Sequence, residues 1–478
     1  MNRTRLLAGA AAAALALAGC KAVGPNFQPP AAPATTGYLM KGDAQTASTR
    51  LSPDARPAGA WWKAFGSTEL DRVMDQALAG NQTVAQADAS LARARQLALA
   101  QQGRQKPEAD LSAQIAGERI NIQSLGFTGF PNPTIGLYSL GLNVNYDVDV
   151  FGGLRRQTEA ARAQAESQAR QADAAYLTLT GQTATAALQI ATARAQIVAA
   201  QQAVADDQRL LELVHAAEGA GGEAPAATTS VRAQLAQDEA TIPPLRAQLM
   251  QARHALAQLV GQAPADWTAP DFDLASFTAP AEVPVTLPSA LVRRRPDILV
   301  AEANLHMATA DVGVATAALY PDIKISANIT QTAIPPANLI DYGASGWTLA
   351  AGLTQPLFDG GRLRAEKAAS VAQMNAVYHQ YRGTVLAAFT QVADVMSAIA
   401  EDEAELKALQ AAEDAAAASV KNDEVAFRLG GGTLRAILDD QRLLDMARRA
   451  RAMAEGKHLA DLASLYVATA ADWREVKN

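Results

Sequence analysis

The sequence contains a single cysteine, Cys20, and five histidines among its 478 residues. One cysteine excludes an intramolecular disulfide and a zinc site built on several cysteines. The histidines are scattered without the spacing of metal ligands, and the sequence has neither a Walker loop nor a nucleophile elbow. The glycine run at 430–432 lacks the lysine that contacts phosphate in nucleotide-binding loops, so it predicts a helix turn. We therefore expect no catalytic residues, no metal, no cofactor and no enzymatic activity.

Aromatic residues are also scarce, at 5% of the chain, although 49% of the residues are hydrophobic. Alanine supplies much of this hydrophobic content, and small side chains favour close packing of helices over a thick globular core. The net charge of −7 leaves little basic surface for phosphates, and the basic run Arg293–Arg295 is interpreted as a solvated turn. The composition therefore argues against nucleic acid as a partner.

Residues 1–19 have the pattern of a signal peptide, with two arginines before an apolar run that is too short to span a bilayer. Leu17–Cys20 resembles a bacterial lipobox, in which the cysteine takes diacylglycerol and becomes the new N-terminus after cleavage. We predict lipid attachment at Cys20, and the alternative is an ordinary signal peptide that happens to carry a cysteine. Lys21 in place of aspartate favours transport to the outer membrane. The Pro- and Ala-rich residues 20–60 are then a lipidated extended segment.

Alternating apolar and small polar residues predict two pairs of β-strands. The clearest example lies within Gly346–Glu366, where strand periodicity changes to helix periodicity at a pair of glycines. Each predicted strand has about 10 to 12 residues, which suits a transmembrane strand, although a soluble antiparallel sheet with one wet face has the same pattern. Four strands alone leave two open edges, which a bilayer does not tolerate. The predicted strands span about 109–122, 138–151, 322–331 and 346–358.

The two strand pairs belong to an internal duplication. Pro107 corresponds to Pro321, 214 positions later, and after the strands Gly152 corresponds to Gly360, 208 positions later. The difference between the two offsets falls in the loops between paired strands, where insertions cost least. We predict a first repeat over 61–261, a linker over 262–287, a second repeat over 288–470 and a tail over 471–478.

Each repeat also predicts a long helical hairpin. Apolar residues keep a 3-4 spacing around Asp207 in the first repeat and around Asp402 in the second, which is typical of coiled coils. Return helices begin after Gly219–Pro225 and Gly430–Thr433. Pro243-Pro244 is expected to kink or break the first return helix, because two prolines remove backbone donors. The linker is expected to act as a strap held by its aromatic residues.

Four stretches carry a resemblance to a known family: Cys20 with Val23–Pro30, Arg294–Ile298, Ala318–Pro321 and Gln355–Arg362. In combination they resemble the outer membrane efflux proteins of the NodT/OprM type, relatives of TolC. The resemblance implies an α+β membrane protein, a homotrimer in which each chain gives four strands to a 12-stranded transmembrane β-barrel and helical hairpins to a long periplasmic α-helical barrel. It also implies a passive exit duct in the bacterial outer membrane, joined through a periplasmic membrane-fusion adaptor to an inner-membrane RND-type pump.

The resemblance also implies gate residues near the second hairpin tip, where channels of this family close through polar networks. Ile437–Arg442 resembles the family's Leu-Asp-Ala-Gln-Arg stretch, which implies a gate carboxylate at Asp439 with Arg442 as its basic partner. Arg435 stands where relatives often have an apolar constriction residue, so the predicted gate is electrostatic. Asp440 adds negative charge, which predicts some cation preference. The alternative is an exposed ion pair that contributes little energy.

Both hairpin tips are predicted adaptor contacts, because glycine lets another helical hairpin approach the backbone closely. The alternative interpretation is simple helix termination. The predicted contact residues are Gly221, Gly222, Gly430, Gly431, Gly432, Thr433 and Leu434.

Two other functions are also compatible with the sequence. One is an exit duct for type I protein secretion, and the other is a non-conducting periplasmic coiled-coil scaffold lipoprotein. A passive duct lacks a pocket that selects one compound, so the pump would choose the substrate.

Overall fold

The computed structural model describes residues 22–43, 50–52, 60–126, 129 and 131–470. The predicted signal peptide, the lipid-attachment residue Cys20 and the predicted tail lie outside the described residues. The described chain divides into two compact units, and each unit contains elements from both halves of the sequence. The first unit comprises 22–30, 90–168 and 300–381, and the second comprises the remaining described residues.

The described strands form one antiparallel sheet in the first unit and one short parallel pair in the second. The pair consists of β1 and β4, and the sheet has the strand order β2-β3-β5-β6. The edge strands β2 and β6 each have one neighbour among the described strands. The bounds are β1 (Arg50–Ser52), β2 (Glu108–Arg119), β3 (Thr134–Asp147), β4 (Glu282–Pro284), β5 (Asp322–Ala333) and β6 (Ser345–Thr354).

One face of the four-stranded sheet is apolar. Leu142 lies opposite Leu111 on one side and Ile329 on the other, and Ile329 lies opposite Trp347. These four side chains are exposed to 42%, 73%, 54% and 79% in the order Leu142, Leu111, Ile329, Trp347. Apolar side chains that run across a whole sheet without a covering layer are suited to lipid.

The opposite face of the sheet is polar. Asn143 and Asn328 lie opposite each other, and Thr348 follows on β6. The Asn328 amide donates a hydrogen bond to Asn143 Oδ1, and the Asn143 amide donates to Ser112 Oγ at 3.4 Å. The alternation predicted from the sequence therefore separates a lipid-compatible face from a hydrophilic face.

Eight α-helices occur in the described chain, and the two longest, α3 and α7, have 67 residues each. α3 and α4 form the first hairpin, and α7 and α8 form the second. α7 is the one described helix that is long and apolar enough to cross a membrane, which alone is weak support for a membrane span. The bounds are α1 (Thr68–Gly80), α2 (Gln82–Gly103), α3 (Gly153–Gly219), α4 (Pro225–Val260), α5 (Pro288–Leu291), α6 (Pro296–Ala317), α7 (Arg362–Arg428) and α8 (Leu434–Ala468).

The strands that precede the long helices end earlier than the alternation predicts. β3 ends at residue 147, although 151 was predicted, because Asp149 caps α3 by accepting a hydrogen bond from the Leu154 backbone N–H at 3.0 Å. β6 ends at residue 354, although 358 was predicted, because Pro356 has no N–H for pairing. Val148 still donates its N–H to Ile323 O of β5 at 2.8 Å, and beyond it Asp149 turns to the helix, as Pro356 ends pairing after β6.

Small residues bring α3 and α8 into close contact in the second unit. A methyl group at Gly456 would lie 1.8 Å from Thr192 Oγ1, and one at Gly181 would lie 2.7 Å from Val467. Any larger side chain at Gly456 would force the helices apart. The small-residue composition therefore acts here as expected, because it permits close approach of the helices.

The second unit has an aromatic core to which the linker is attached. Trp61 stacks on Tyr466 with 5.4 Å between ring centroids, and both side chains are buried. In the linker, Phe272 and Phe277 are buried in the same cluster, while the Trp267 indole N–H donates to Gln76 Oε1 at 3.1 Å. The three aromatic side chains of the linker thus hold it to the helices.

The prolines of the first return helix do not break it. α4 runs without interruption from Pro225 to Val260 and contains both Pro243 and Pro244. The carbonyls that lose a donor belong to Glu239 and Ala240, which are exposed, so water can satisfy them. The predicted break was therefore wrong, since the helix continues through both prolines, while the alternative, a kink, stays a prediction.

Candidate functional site

The two hairpin tips of the second unit have matching backbone geometry. α3 ends at Gly219 and the chain reverses through Gly221, whose φ is 76°. α7 ends at Arg428, and the second reversal uses Gly430, whose φ is 79°. A positive φ at both places requires glycine for an unstrained turn. The return helices begin where the sequence predicted them.

Several of the predicted adaptor contacts have clear structural roles in the second turn. The N–H groups of Gly431 and Gly432 both donate to Ala426 O, at 3.0 and 3.1 Å. A methyl group at Gly432 would lie 2.6 Å from the Phe427 backbone nitrogen, so the turn admits no side chain there. Thr433 caps α8 by accepting a hydrogen bond from the Ala436 N–H at 3.3 Å. These contacts fix the shape of the tip and leave its glycines accessible.

Leu434 differs from the other predicted adaptor contacts because it is only 7% exposed. It belongs to a small apolar cluster with residues of both hairpins, so it joins the hairpins and offers little surface to a partner. The adaptor contact expected at Leu434 stays a prediction. The buried members of the cluster are Leu210, Val214, Val231, Leu434 and Ile437.

A cleft of about 870 Å³ lies between the hairpins beside this cluster. Its lining combines apolar side chains with charges of both signs. The charged lining residues are Asp206, Arg209, Glu223, Lys421, Glu424, Arg428 and Arg448.

The four predicted gate residues lie at the start of α8, but they pair differently from the expectation. Asp439 pairs with Arg435, one turn earlier, at 3.7 Å, and these side chains are 59% and 91% exposed. The Arg442 guanidinium instead donates to Gln234 of α4. The expected Asp439–Arg442 pair is therefore absent from the described chain, because a partner on the neighbouring helix attracts Arg442. Asp440 accepts a hydrogen bond from Ser419 of α7.

Sequence analysis missed a cluster of buried carboxyl groups behind the tips. Asp207 of α3, Asp238 of α4 and Asp445 of α8 are 1%, 4% and 3% exposed. The Arg449 guanidinium lies 3.7 Å from Asp238, and the Gln234 amide donates to Asp238 at 2.6 Å. The signal available in the sequence was Asp207, which interrupts the apolar spacing of α3.

The protonation of this cluster is strongly perturbed. Burial is the largest cause that raises the pKa of Asp207, to about 7, and the neighbouring carboxyl of Asp238 is the next cause. Burial also raises the pKa of Asp445 to about 6, with the charge of Asp238 adding to the effect. Charged carboxylates are costly in an apolar site and repel each other, so the site holds protons near neutral pH.

A second buried carboxyl lies in the second hairpin. Asp402 of α7 is 1% exposed, and its Oδ1 accepts a hydrogen bond from the Lys457 ammonium of α8. Lys457 also lies 3.3 Å from Asp461. The hydrogen bond with Asp402 raises the pKa of Lys457, and burial lowers the pKa of the neighbouring His458.

Comparison with known proteins identifies the family. Outer membrane efflux proteins match residues 73–262 and 287–471, which is most of the chain. The chain belongs to the outer membrane efflux protein family. The resemblance found in the sequence is thereby confirmed, and with it the outer-membrane location and the α+β fold.

Individual relatives cover nearly the whole chain. The pyoverdine export outer membrane protein OpmQ of Pseudomonas aeruginosa is 28% identical over 448 residues, covering 93% of this chain and 92% of its own. The outer membrane protein OprJ of the same species is 28% identical and covers 90% of this chain and 88% of its own. Among solved structures, the outer-membrane channel OprN superposes with a TM-score of 0.84 at 27% identity, covering 94% of this chain and 99% of that one.

Proposed function

We propose that the chain is the exit duct of a tripartite efflux system, which conducts drugs or other small solutes passively from a periplasmic adaptor and an RND-type pump to the exterior. The observation that carries the proposal is the four-stranded sheet, since its apolar face suits lipid and its polar face suits a water-filled lumen. Family membership supports a transport role in the outer membrane. One relative is named for pyoverdine export and another for cation efflux.

The open edges of the sheet support assembly into a homotrimer. In lipid, every backbone N–H and C=O of the edge strands needs a partner. Pairing of β6 of one copy with β2 of the next would satisfy both edges, and three copies would close a 12-stranded barrel. The helical hairpins of the three copies would then continue as a tube in the periplasm.

The hairpin tips are the proposed contacts with the periplasmic adaptor. Their accessible glycine backbones support this role, because a partner helix can approach them closely. Leu434 would act indirectly by holding the hairpins together. The proposed contacts remain Gly221, Gly222, Gly430, Gly431, Gly432, Thr433 and Leu434, and the proposed gate residues remain Arg435, Asp439, Asp440 and Arg442.

Lipid attachment at Cys20 is supported by how the following segment docks. Val23 donates its N–H to Phe151 O at 3.0 Å, and Arg156 Nε donates to Val23 O at 3.1 Å. Phe27 stacks on His306 with 4.4 Å between centroids. Because Val23 lies three residues after Cys20, the acyl chains would be held close to the end of β3. A relative from Salmonella typhimurium is named as a probable outer membrane lipoprotein, SilC.

Two neighbouring substitutions on opposite faces of β6 test the duct. Leu349→Lys places a charge on the apolar face, at a cost of roughly 2–4 kcal/mol near the bilayer midplane, so it should abolish insertion into the outer membrane. Thr348→Lys places the same charge on the polar face and should leave a trimer that conducts with reduced cation preference. Membrane fractionation and planar-bilayer conductance measure both outcomes.

Equal effects of the two lysines would contradict a barrel wall at β6. A wild-type protein that is monomeric and non-conducting would instead support the scaffold alternative. Loss of protein secretion without increased compound sensitivity in a deletion strain would support the type I secretion alternative.

A further inference from the structure

Three buried carboxyl groups lie where the two hairpins pack against each other. Neither the tip residues nor the predicted gate residues contact them directly. Asp207 and Asp238 belong to the first hairpin, and Asp445 belongs to α8 of the second. We propose that Asp207, Asp238 and Asp445 form a proton-operated latch, which holds the first hairpin against α8 when protonated and releases it when deprotonated. The proposal rests on the proposed function insofar as hairpin separation opens a duct.

The latch has charged neighbours on every helix that packs against it. On α3, Asp206 accepts from Arg209 at 3.4 Å, and on α8 Arg448 lies 3.6 Å from Asp206. On α7, Glu413 lies 3.9 Å from Arg448 and 3.0 Å from Arg451. The set contains the carboxyl groups of Asp206, Asp207, Asp238, Glu413 and Asp445 and the guanidinium groups of Arg209, Arg448, Arg449 and Arg451.

The arginines of this set are distributed unevenly among its carboxyl groups. They pair with Asp206, Asp238 and Glu413, and the Arg442 guanidinium reaches Gln234, which donates to Asp238. Asp207 is the group best placed for the proton, because it is 1% exposed and no arginine of the described chain pairs with it directly. An uncompensated buried charge is strongly unfavourable.

Hydrogen bonding gives an independent reason for the same proton. Oδ2 of Asp207 is buried and has no hydrogen-bond partner among the described residues, and the neighbouring carboxyl of Asp238 raises the pKa of Asp207. Two carboxyl groups can share a hydrogen bond only if one of them is protonated. A protonated Asp207 can therefore donate to Asp238. Release of the proton to water removes this donor and leaves repulsion among the three carboxylates, which opposes the Arg448–Asp206 and Arg449–Asp238 pairs that hold the first hairpin to α8.

The direction of the pH dependence follows from the raised pKa of Asp207. Burial and Asp238 raise this pKa from 3.8 to about 7, so the packed state binds the proton more tightly than a separated, hydrated state. Acidic solution favours the packed state. As pH rises from about 4 towards 7, the proton of Asp207 alone should increase the ratio of separated to packed hairpins by at most about tenfold per pH unit. The raised pKa of Asp445 adds to this increase below about pH 6, and above 7 the ratio should level off.

Distance measurements between the hairpins test the latch in the full-length lipidated protein. Spin labels at Leu213→Cys of α3 and Met446→Cys of α8, both at exposed positions, report the separation by pulsed electron resonance. Labelled chains are diluted with unlabelled chains, so that only distances within one chain are seen. We expect one short distance at pH 5 and a growing population of longer distances towards pH 7.5.

The matched variants are Asp207→Asn and Asp402→Asn. Asparagine at 207 keeps a donor for Asp238 without a titrating charge, so this variant should hold the short distance at both pH values. Asp402 is equally buried but lies outside the latch, so Asp402→Asn should keep the wild-type pH response. Asp238→Asn serves as the second latch variant if Asp207→Asn does not fold.

A wild-type distance that does not change with pH would overturn the proposal, and so would an unchanged pH response in both latch variants. Bilayer conductance of the same samples separates this inference from the duct. Distances that respond to pH in a protein that never conducts would support the latch and refute the duct. A conducting protein whose distances do not change with pH would support the duct and refute the latch.

Discussion

Asp207 and Asp402 interrupt the apolar spacing of the two long helices in the same way, and both are 1% exposed, yet they are neutralised differently. Asp402 receives the ammonium group of Lys457 from the facing helix. Asp207 faces Asp238 and Asp445, which carry the same charge as itself. A buried carboxylate needs either a counter-charge or a proton. Asp207 thus depends on a proton, whereas Asp402 has a counter-charge within reach. The Asp461 carboxyl beside that pair has its pKa raised by burial and then by its hydrogen bond with Asp402.

The different ways in which Asp402 and Asp207 are neutralised also suit the two sites to different roles. An ion pair formed by a half-exposed lysine holds over a wide pH range, because lysine stays charged well above neutrality. A shared proton is exchanged with solvent near neutral pH, where small changes alter its occupancy. We therefore assign a fixed structural role to Asp402 and a variable one to the cluster of Asp207, Asp238 and Asp445.

Removal of Lys457 should have the largest effect on stability. Lys457→Met leaves Asp402 buried without its counter-charge and should destabilise the second hairpin by about 2–3 kcal/mol. This is below the value for fully buried pairs, because the Lys457 side chain is 54% exposed. The urea midpoint of the helical circular-dichroism signal at pH 7.5 measures the loss. The double variant Asp402→Asn with Lys457→Met should recover most of it, and a double variant as unstable as Lys457→Met would show that the ion pair is not the cause.

Removal of a like charge from the cluster of Asp207, Asp238 and Asp445 should have the opposite effect on stability. The pKa of Asp445 is raised from 3.8 to about 6, mainly by burial and then by Asp238, so its contribution to stability is lost as pH rises from about 4 through 6. Asp445→Asn should therefore raise the free energy of unfolding by about 1 kcal/mol at pH 7.5. At pH 4, where the wild-type group is protonated, the gain should vanish. Urea unfolding at the two pH values measures this difference. An equal gain in the free energy of unfolding at both pH values would show that the gain arises from packing and not from charge.

Sequence periodicity was sufficient to predict the strands of the sheet and the long helices. The alternation in β2, β3, β5 and β6 and the long apolar spacing of α3 and α7 are local properties, so they predicted the elements directly. The errors occurred where one residue has two possible partners. Asp149 continues the alternation of β3 but caps a helix instead, and the carbonyl that lacks a donor because of Pro243 belongs to the exposed Glu239.

The site was less predictable because its contacts join residues that are distant in sequence. Arg442 has Asp439 within reach on its own helix but bonds to Gln234, 208 positions away. Asp207 was visible as a polar interruption, yet nothing near it in the sequence reveals that Asp238 and Asp445 face it. A polar residue that interrupts a long apolar spacing therefore marks a site, while its chemistry depends on the facing helices.

A cation introduced on α8 beside the cluster of Asp207, Asp238 and Asp445 should make that cluster resemble the Asp402 site. Gln441 is 7% exposed, and its amide lies 3.3 Å from Asp206 and 3.5 Å from Asp445. Gln441→Lys would place an ammonium between these carboxyls, which lowers the pKa of Asp445 and supplies the counter-charge that Lys457 gives Asp402. The burial of the lysine stem opposes the gain, so the net change in stability at pH 7.5 should be small, about 0.5 kcal/mol in either direction.

The informative readout of this variant is the pH profile of stability between pH 5 and 7.5. It should become flatter than that of the wild type, because a carboxylate beside a cation no longer needs the proton. Gln441→Met, which has similar length without charge, controls for packing and should keep the wild-type slope. If Gln441→Lys and Gln441→Met give the same profile, the pH response does not arise from unbalanced charge in the cluster.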